Sequence, residues 1–196
     1  IPDLEYVNPA LYEELLAITT IGTIADVMEL VDENRFYVKQ GLKLLSKPRN
    51  TGLRSLIQKI GLYDKEINSD DIGFAIGPCL NATGRLESPD LAVNLLLTDD
   101  VSETDKMAEK IVKLNEERKK KQKEALESLK VNEDDKFIIA IMEDVGHGLL
   151  GIIAGQITEK YQKPCFVLGG DEDTLSGSGR SVHQYNINSC IQDNRE

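Results

Sequence analysis

Four short stretches carry residue types whose spacing suits binding or chemistry on a charged ligand. The first is Ile21-Gly22-Thr23-Ile24-Ala25-Asp26-Val27-Met28. An acid set among apolar residues on a helix is costly unless it is paired, hydrogen-bonded or bound to a cation. Asp26 is therefore either a metal ligand or a carboxylate that caps a neighbouring helix or pairs with an Arg. The second is Gly77-Pro78-Cys79-Leu80-Asn81-Ala82-Thr83-Gly84-Arg85-Leu86. Read as a rigid loop between two helices, it presents the Asn81 amide and the forked Arg85 guanidinium to an anion. Read as an inter-helix turn, it keeps Arg85 in a structural salt bridge.

The third stretch is Asp144-Val145-Gly146-His147-Gly148-Leu149-Leu150-Gly151. It follows a predicted strand and opens a predicted helix, where backbone N–H groups and the helix dipole favour an anion. His147 is the chemical candidate there; a structural histidine is the alternative. The fourth is Ser176-Gly177-Ser178-Gly179-Arg180-Ser181. Hydroxyls, small residues and one Arg can form an anion-binding concavity, or simply a glycine hairpin. The Gly-Lys-Ser/Thr ending of a P-loop is absent. No Ser-His-Asp arrangement is evident, and His147 and His183 lack metal-ligand spacing.

The elements that must position these stretches differ between the two halves. Asn8-Pro9 is a cap followed by Pro at the first helical position, with an apolar stripe at Leu11, Leu15 and Ile18. Asn34 is expected to cap 35–45. The segment 53–60 should stop at Gly61, and Ser88-Pro89 should start 91–97. A long helix is expected over 102–130, with Met107, Ile111 and Leu114 on one face and Leu126 and Leu129 at the far end. Its middle, 115–124, reads as polar all round, like a solvated strut. The basic cluster Arg118, Lys119, Lys120, Lys121 and Lys123 is either an ordinary surface face or a stripe that tracks DNA.

Beyond Asn132 the pattern becomes α/β. A buried strand is expected over 137–142, a helix over 149–161, a strand over 165–168, a turn at 171–173, and a strand or hairpin arm from Thr174. The fold class is thus α/β: a mainly helical N-terminal part, a long connector helix and a small α/β C-terminal domain. No internal repeat or low-complexity segment is present.

Composition sets limits. The 196 residues are 40% hydrophobic and 29% charged, ordinary for a globular protein. No apolar run approaches the roughly 20 residues of a membrane-spanning helix. The three cysteines, Cys79, Cys165 and Cys190, form no C-x-x-C pair, which fits a reducing cytoplasm. Asn81-Ala82-Thr83 matches a glycosylation acceptor by coincidence. The net charge of -11 argues against a general nucleic-acid binder, since phosphate contacts need clustered cations. An enzyme that holds metals with carboxylates and confines its positive charge to one groove stays compatible with it.

In this order and at these separations, the four motifs resemble the RecJ family of the DHH phosphoesterase superfamily over nearly the whole chain. G-T-I-A-D-V resembles the last acidic motif of the DHH domain. G-P-x-L-N-A-x-G-R-L is the most specific match to the RecJ branch. D-x-x-H-G-x-x-G-I-I-A-G and G-S-G-R-S resemble the opening motif and the substrate-binding motif of the DHH-associated domain. The implied organisation is the C-terminal part of a DHH domain over 1–100, a connector helix over 101–131, and a truncated DHH-associated domain over 132–196.

The resemblance implies a fragment of a metal-dependent 5′→3′ exonuclease specific for single-stranded DNA, acting in DNA repair and recombination and inactive alone. Asp26 would be a Mn²⁺ or Mg²⁺ ligand and, with His147, catalytic. Asn81, Arg85, Ser178, Gly179, Arg180 and Ser181 would hold the DNA phosphates. Single-stranded DNA is the implied substrate; a helicase and a single-stranded-DNA-binding protein are implied partners. Cys79 stands where the family usually has Arg. The D-H-H sequence and earlier acidic motifs are expected before Ile1, and the Gly-Gly-His motif after Glu196. Other members of the superfamily, an oligoribonuclease or a cyclic-dinucleotide phosphodiesterase, and a non-catalytic nucleic-acid-binding scaffold are the alternatives.

Overall fold

The computed structural model describes Tyr6 and residues 8–132, 134–142, 145–170, 174–183 and 185–194. The expected turn at 171–173 and Asp144 lie outside the described residues. The chain divides into two compact units, Ile1–Glu116 and Glu117–Glu196. The fold is α/β, mostly helical with one small sheet.

The first unit is built from helices. α1 (Pro9–Ala25) starts where expected, with the Asn8 side chain accepting from the Leu11 N–H at 3.1 Å. The predicted stripe is not its buried face, however. Leu11 and Leu15 are exposed, and Leu16, Ala17, Thr20 and Ile21 turn inward. α2 (Asp32–Leu45) begins before Asn34, which sits inside the first turn and donates its amide to the Glu29 carbonyl. α1 and α2 approach closely because residue 41 is Gly: a Cβ there would lie 1.9 Å from Thr20 Oγ1.

α3 (Thr51–Lys59) is capped by Asn50 and stops at Gly61 as the sequence predicts. Gly61 takes φ +76, while the N–H groups of Gly61 and Leu62 bond to Gln58 and Ile57. These are the paired bonds of a Schellman ending.

The Gly77–Leu86 stretch departs from expectation: it is a helix rather than a loop. A short α4 (Ser69–Asp71) runs into a π-turn, Ile72–Ile76, and then into α5 (Gly77–Leu86). Pro78 has no N–H to give the Phe74 carbonyl and would clash with it in a regular α-helix. Widening the preceding turn, with the Gly77 N–H bonding to Ile72 O, lets the chain stay helical through the proline. α6 (Asp90–Leu97) follows the Ser88-Pro89 start. Leu45, Leu53, Leu56, Ile57, Ile72, Ile76, Leu95 and Ile111 form the centre of this unit's core.

α7 (Val101–Ser128) is the long helix. Its middle is not solvated all round, contrary to expectation. Thr104, Ala108, Ile111, Asn115, Gln122 and Ala125 are all buried, so polar side chains continue the stripe where apolar ones stop. In the first unit Thr104 pairs with Ser55 at 3.2 Å, and Asn115 donates to Cys79 Sγ. In the second unit Gln122 donates to Gln156 at 3.1 Å. Three lysines of the basic cluster lie beside glutamates one turn away: Lys120 by Glu124, Lys121 by Glu117 and Lys123 by Glu127. Such exposed pairs are the pattern of an ordinary solvated face.

In the second unit β1 (Ile138–Ile141), α8 (His147–Tyr161) and β2 (Cys165–Gly170) form a βαβ unit. β1 and β2 are parallel, pairing Ile138 with Cys165. β3 (Leu175–Arg180) runs antiparallel to β2, giving the order β1-β2-β3, and α9 (Ile187–Asp193) follows. α8 packs Leu149, Leu150, Ile153, Ala154 and Ile157 against one face of the sheet, where Ile138, Ala140, Cys165 and Val167 are buried. β1 is not the fully buried strand that its apolar run predicts, because Ile139 and Ile141, on its other face, are exposed. No helix of the described residues is long and apolar enough to cross a membrane.

Candidate nucleic-acid interface

Two groups of candidate residues are assembled, one in each unit. In the first unit, Asp26 is not enclosed by apolar side chains. It is exposed, at the C-cap of α1, with its N–H bonded to Gly22 O at 3.0 Å. The chain then reverses in a Schellman ending: Val27 N–H bonds to Ile24 O and Met28 N–H to Thr23 O. The left-handed residue of that ending is Val27, at φ +55. A β-branched residue there is strained.

α1 ends against the start of α5. A Cβ on Gly77 would lie 3.0 Å from Ala25 Cβ, so glycine permits the close approach of the last turn of α1 to the start of α5. A cavity of about 190 Å³ lies between them, lined by Ile21, Gly22, Ala25, Gly77, Leu80 and Asn81 among others. Arg85 is exposed one turn beyond Asn81 on α5. Cys79, two residues before Asn81, points the other way, into the core.

In the second unit the Ser-Gly-Ser-Gly-Arg stretch lies in the strand or hairpin arm expected from Thr174, antiparallel to β2. It is strand β3, and its period of two sorts the residues by face. Ser176, Ser178 and Arg180 face α8. His147, the first residue of α8, pairs through Nδ1 with Ser176 Oγ at 2.5 Å. One turn on, a Cβ at Gly151 would lie 3.2 Å from Ser178 Oγ and 3.4 Å from an Arg180 nitrogen. Arg180 also donates to Ser178 Oγ and to its neighbour's carbonyl, Gly179 O. The arrangement offers an imidazole, two hydroxyls and a guanidinium on one side of an edge strand, beside a helix start.

Gly179 lies on the opposite face, where a Cβ would meet the Phe166 ring at 2.5 Å. Ser181 turns its hydroxyl to the Tyr185 carbonyl. The sequence alone does not single out Ser176 or Gly151. The alternation of Ser176, Ser178 and Arg180 is the available signal for Ser176; Gly151 becomes meaningful only once α8 and β3 are docked.

Burial raises the Cys165 thiol above its ordinary range, partly offset by its hydrogen bond with Thr158 and by Arg180. Among the described residues no three His, Cys, Asp or Glu side chains converge to hold a metal. Asp26 alone does not constitute a cation site, so these residues do not account for a bound metal.

No family model matches the chain. It is 36% identical to the single-stranded-DNA-specific exonuclease RecJ of Bacillus subtilis over 191 residues, 94% of this chain and 24% of that protein. It is 34% identical to the Escherichia coli protein of the same name over 191 residues, 91% of this chain and 33% of that protein. The crystal structure of RecJ from Thermus thermophilus in complex with Mn²⁺ superposes with a TM-score of 0.82 at 28% identity, over 92% of this chain and 27% of that one. The chain is a homologue of the RecJ exonucleases. A second RecJ structure from the same organism, in complex with Mg²⁺, superposes with a TM-score of 0.81. The chain thus spans about a quarter to a third of the RecJ relatives it matches. Both candidate groups lie within the segment that aligns with RecJ.

Proposed function

We propose that this chain is part of a single-stranded-DNA-specific 5′→3′ exonuclease, and that its own contribution is to grip the strand. Residues 1–100 form the end of a DHH domain, 101–131 the connector and 132–196 part of the DHH-associated domain. The observation that carries the reading is the shared face of His147, Ser176, Ser178 and Arg180 in a segment homologous to RecJ. Hydroxyls and a guanidinium on an edge strand suit phosphate oxygens, and Arg offers the forked contact that a phosphodiester accepts. Asn81 and Arg85 on α5 extend the phosphate contacts in the first unit, and Ser181 and Gly179 shape the end of β3.

The reaction of the intact protein is metal-dependent phosphodiester hydrolysis with Mn²⁺ or Mg²⁺. Asp26 contributes one carboxylate, and the other ligands come from elsewhere in the polypeptide. His147 is a residue near the scissile phosphate. Repair and recombination in the cytoplasm, with a helicase and a single-stranded-DNA-binding protein as partners, complete the reading.

The test is product analysis with the intact polypeptide and Mn²⁺ on 5′-labelled single-stranded DNA, duplex DNA, short RNA and cyclic dinucleotides. Degradation of single-stranded DNA from its 5′ end is expected. Preference for short RNA or cyclic dinucleotides would overturn the substrate assignment. In the same protein Arg180→Ala should weaken single-strand binding and flatten the slope of log K against log salt by about 0.7, one phosphate contact. Unchanged binding removes Arg180 from the interface.

A further inference from the structure

We infer that Ser176 is a positioning residue: its hydroxyl donates to Nδ1 of His147, which fixes the ring and leaves Nε2–H as the outward donor. The inference deepens the phosphate-facing reading and rests on it for its purpose, though not for its geometry. The two side chains are 29 residues apart in sequence and meet only because β3 lies alongside the start of α8. A neutral imidazole carries one proton, and the hydrogen bond made by one ring nitrogen decides which nitrogen holds it. A carbonyl or carboxylate at Nδ1 would demand the proton there and turn Nε2 into an acceptor, which repels a phosphate oxygen. A hydroxyl can donate to Nδ1 instead, so Nε2 keeps its proton. When the ring becomes cationic the same hydroxyl rotates and accepts, and Nε2–H is still a donor.

The surroundings favour this role. Arg180 is the charged group that β3 brings to the same face. β1 and β2, the other strands of the sheet under α8, have no charged residue between Ile138 and Ile141 or between Cys165 and Gly170. Among the described residues of these strands, no carboxylate competes with Ser176 for Nδ1. Position 176 lies in strand β3 and is exposed, so replacing it removes a hydroxyl without emptying a core site.

The experiment is ¹⁵N NMR of the imidazole nitrogens in the 196-residue chain, at a pH where free imidazoles are neutral. The wild-type protein should show Nδ1 as an unprotonated nitrogen accepting a hydrogen bond, and Nε2 protonated. In Ser176→Ala the Nδ1 signal should move to the position of a bare, unbonded nitrogen, and Ser176→Thr should restore it. A protonated Nδ1 in the wild type, or a spectrum unmoved by Ser176→Ala, overturns the inference. A 5′-phosphorylated thymidine oligonucleotide is then added. If the Nδ1 signature responds to the mutations as expected while Nε2 ignores the oligonucleotide, the positioning role stands and the phosphate contact of His147 falls. Where both hold, the intact protein carrying Ser176→Ala should bind the oligonucleotide several-fold more weakly, and Ser176→Thr should bind close to wild type.

Discussion

Asn115 donates from Nδ2 to the Sγ of Cys79 across 3.2 Å, and both side chains are buried. The contact ties the middle of the long helix to the helix that carries Asn81 and Arg85. It also determines what residue 79 can do in this protein. The resemblance implies Arg at this position; here the Cys79 side chain points into the core of the first unit. Cys79→Arg should therefore destabilise the chain rather than add a DNA contact. A guanidinium left buried without a partner costs about 3 kcal/mol. The urea midpoint of the 196-residue chain measures it, and an unchanged midpoint would show that the longer side chain escapes to solvent.

Val27 gives the opposite expectation. It is 87% exposed and holds φ +55 in the turn that ends the helix at Asp26. A left-handed β-branched residue costs about 1–2 kcal/mol, and so little of Val27 is buried that its removal loses almost no packing. Val27→Gly relieves the strain but adds freedom to the unfolded chain, worth about 0.5–1 kcal/mol in the other direction. Net stabilisation of up to about 1.5 kcal/mol is expected in thermal or urea unfolding. A destabilised variant would mean that Val27 makes contacts its exposure does not reveal.

Much of this arrangement is legible in the sequence, and the misses have physical causes. Asn8-Pro9 and Gly61 mark their helix ends because cap and stop chemistry is local. The Gly-Pro of residues 77–78 reads as a break because a proline normally ends a helix; a π-turn one step upstream absorbs it, a solution that no local pattern announces. The stripe of α7 disappears from hydropathy at Asn115 and Gln122, since an amide buried against Cys79 or Gln156 looks the same in sequence as one in water. The strand from Thr174 is legible, but which face each residue of the Ser-Gly-Ser-Gly-Arg stretch takes is not, because glycine has poor strand propensity and carries no side chain to mark a face. Its glycines are covered on the far face: Cβ atoms at Gly177 and Gly179 would lie 2.5 Å from Leu168 and Phe166. Those larger side chains of β2 fill the space that β3 leaves.

Cys165 predicts an alkaline weakness. Its thiol is raised chiefly by burial, so the native state keeps a proton that the unfolded state releases at the ordinary cysteine value. The stabilisation is complete below the unfolded value, about 8.5, and is lost as pH rises from there through the raised folded value. Arg180 pulls the other way, so its removal should push the native thiol higher still. Stability measured from about pH 7 to about pH 10, a window that brackets the unfolded thiol's value, should fall more steeply in the wild type than in Cys165→Ala. Parallel curves would show that the thiol contributes nothing to the pH dependence.

Gly151 and Gly155 sit one turn apart on α8, and alanine should act differently at the two. Each is interior to the helix, where alanine is favoured over glycine by about 0.5–1 kcal/mol. A Cβ at Gly155 meets nothing within 4 Å, whereas one at Gly151 comes to 3.2 Å from Ser178 Oγ and 3.4 Å from an Arg180 nitrogen. The atoms near Gly151 are the ends of side chains and can retreat by a few tenths of an ångström, so folding should tolerate the change. The phosphate-facing geometry should not, because the groups that retreat are the ones proposed to hold the strand. Gly155→Ala is thus expected to raise the unfolding midpoint and leave oligonucleotide binding by the intact protein unaltered. Gly151→Ala should gain less stability and bind several-fold more weakly. Fluorescence anisotropy on both variants, with unfolding curves beside it, separates the two effects. If Gly151→Ala binds as tightly as Gly155→Ala, the close approach of α8 to β3 is a packing detail and the strand-gripping face must be sought elsewhere on the second unit.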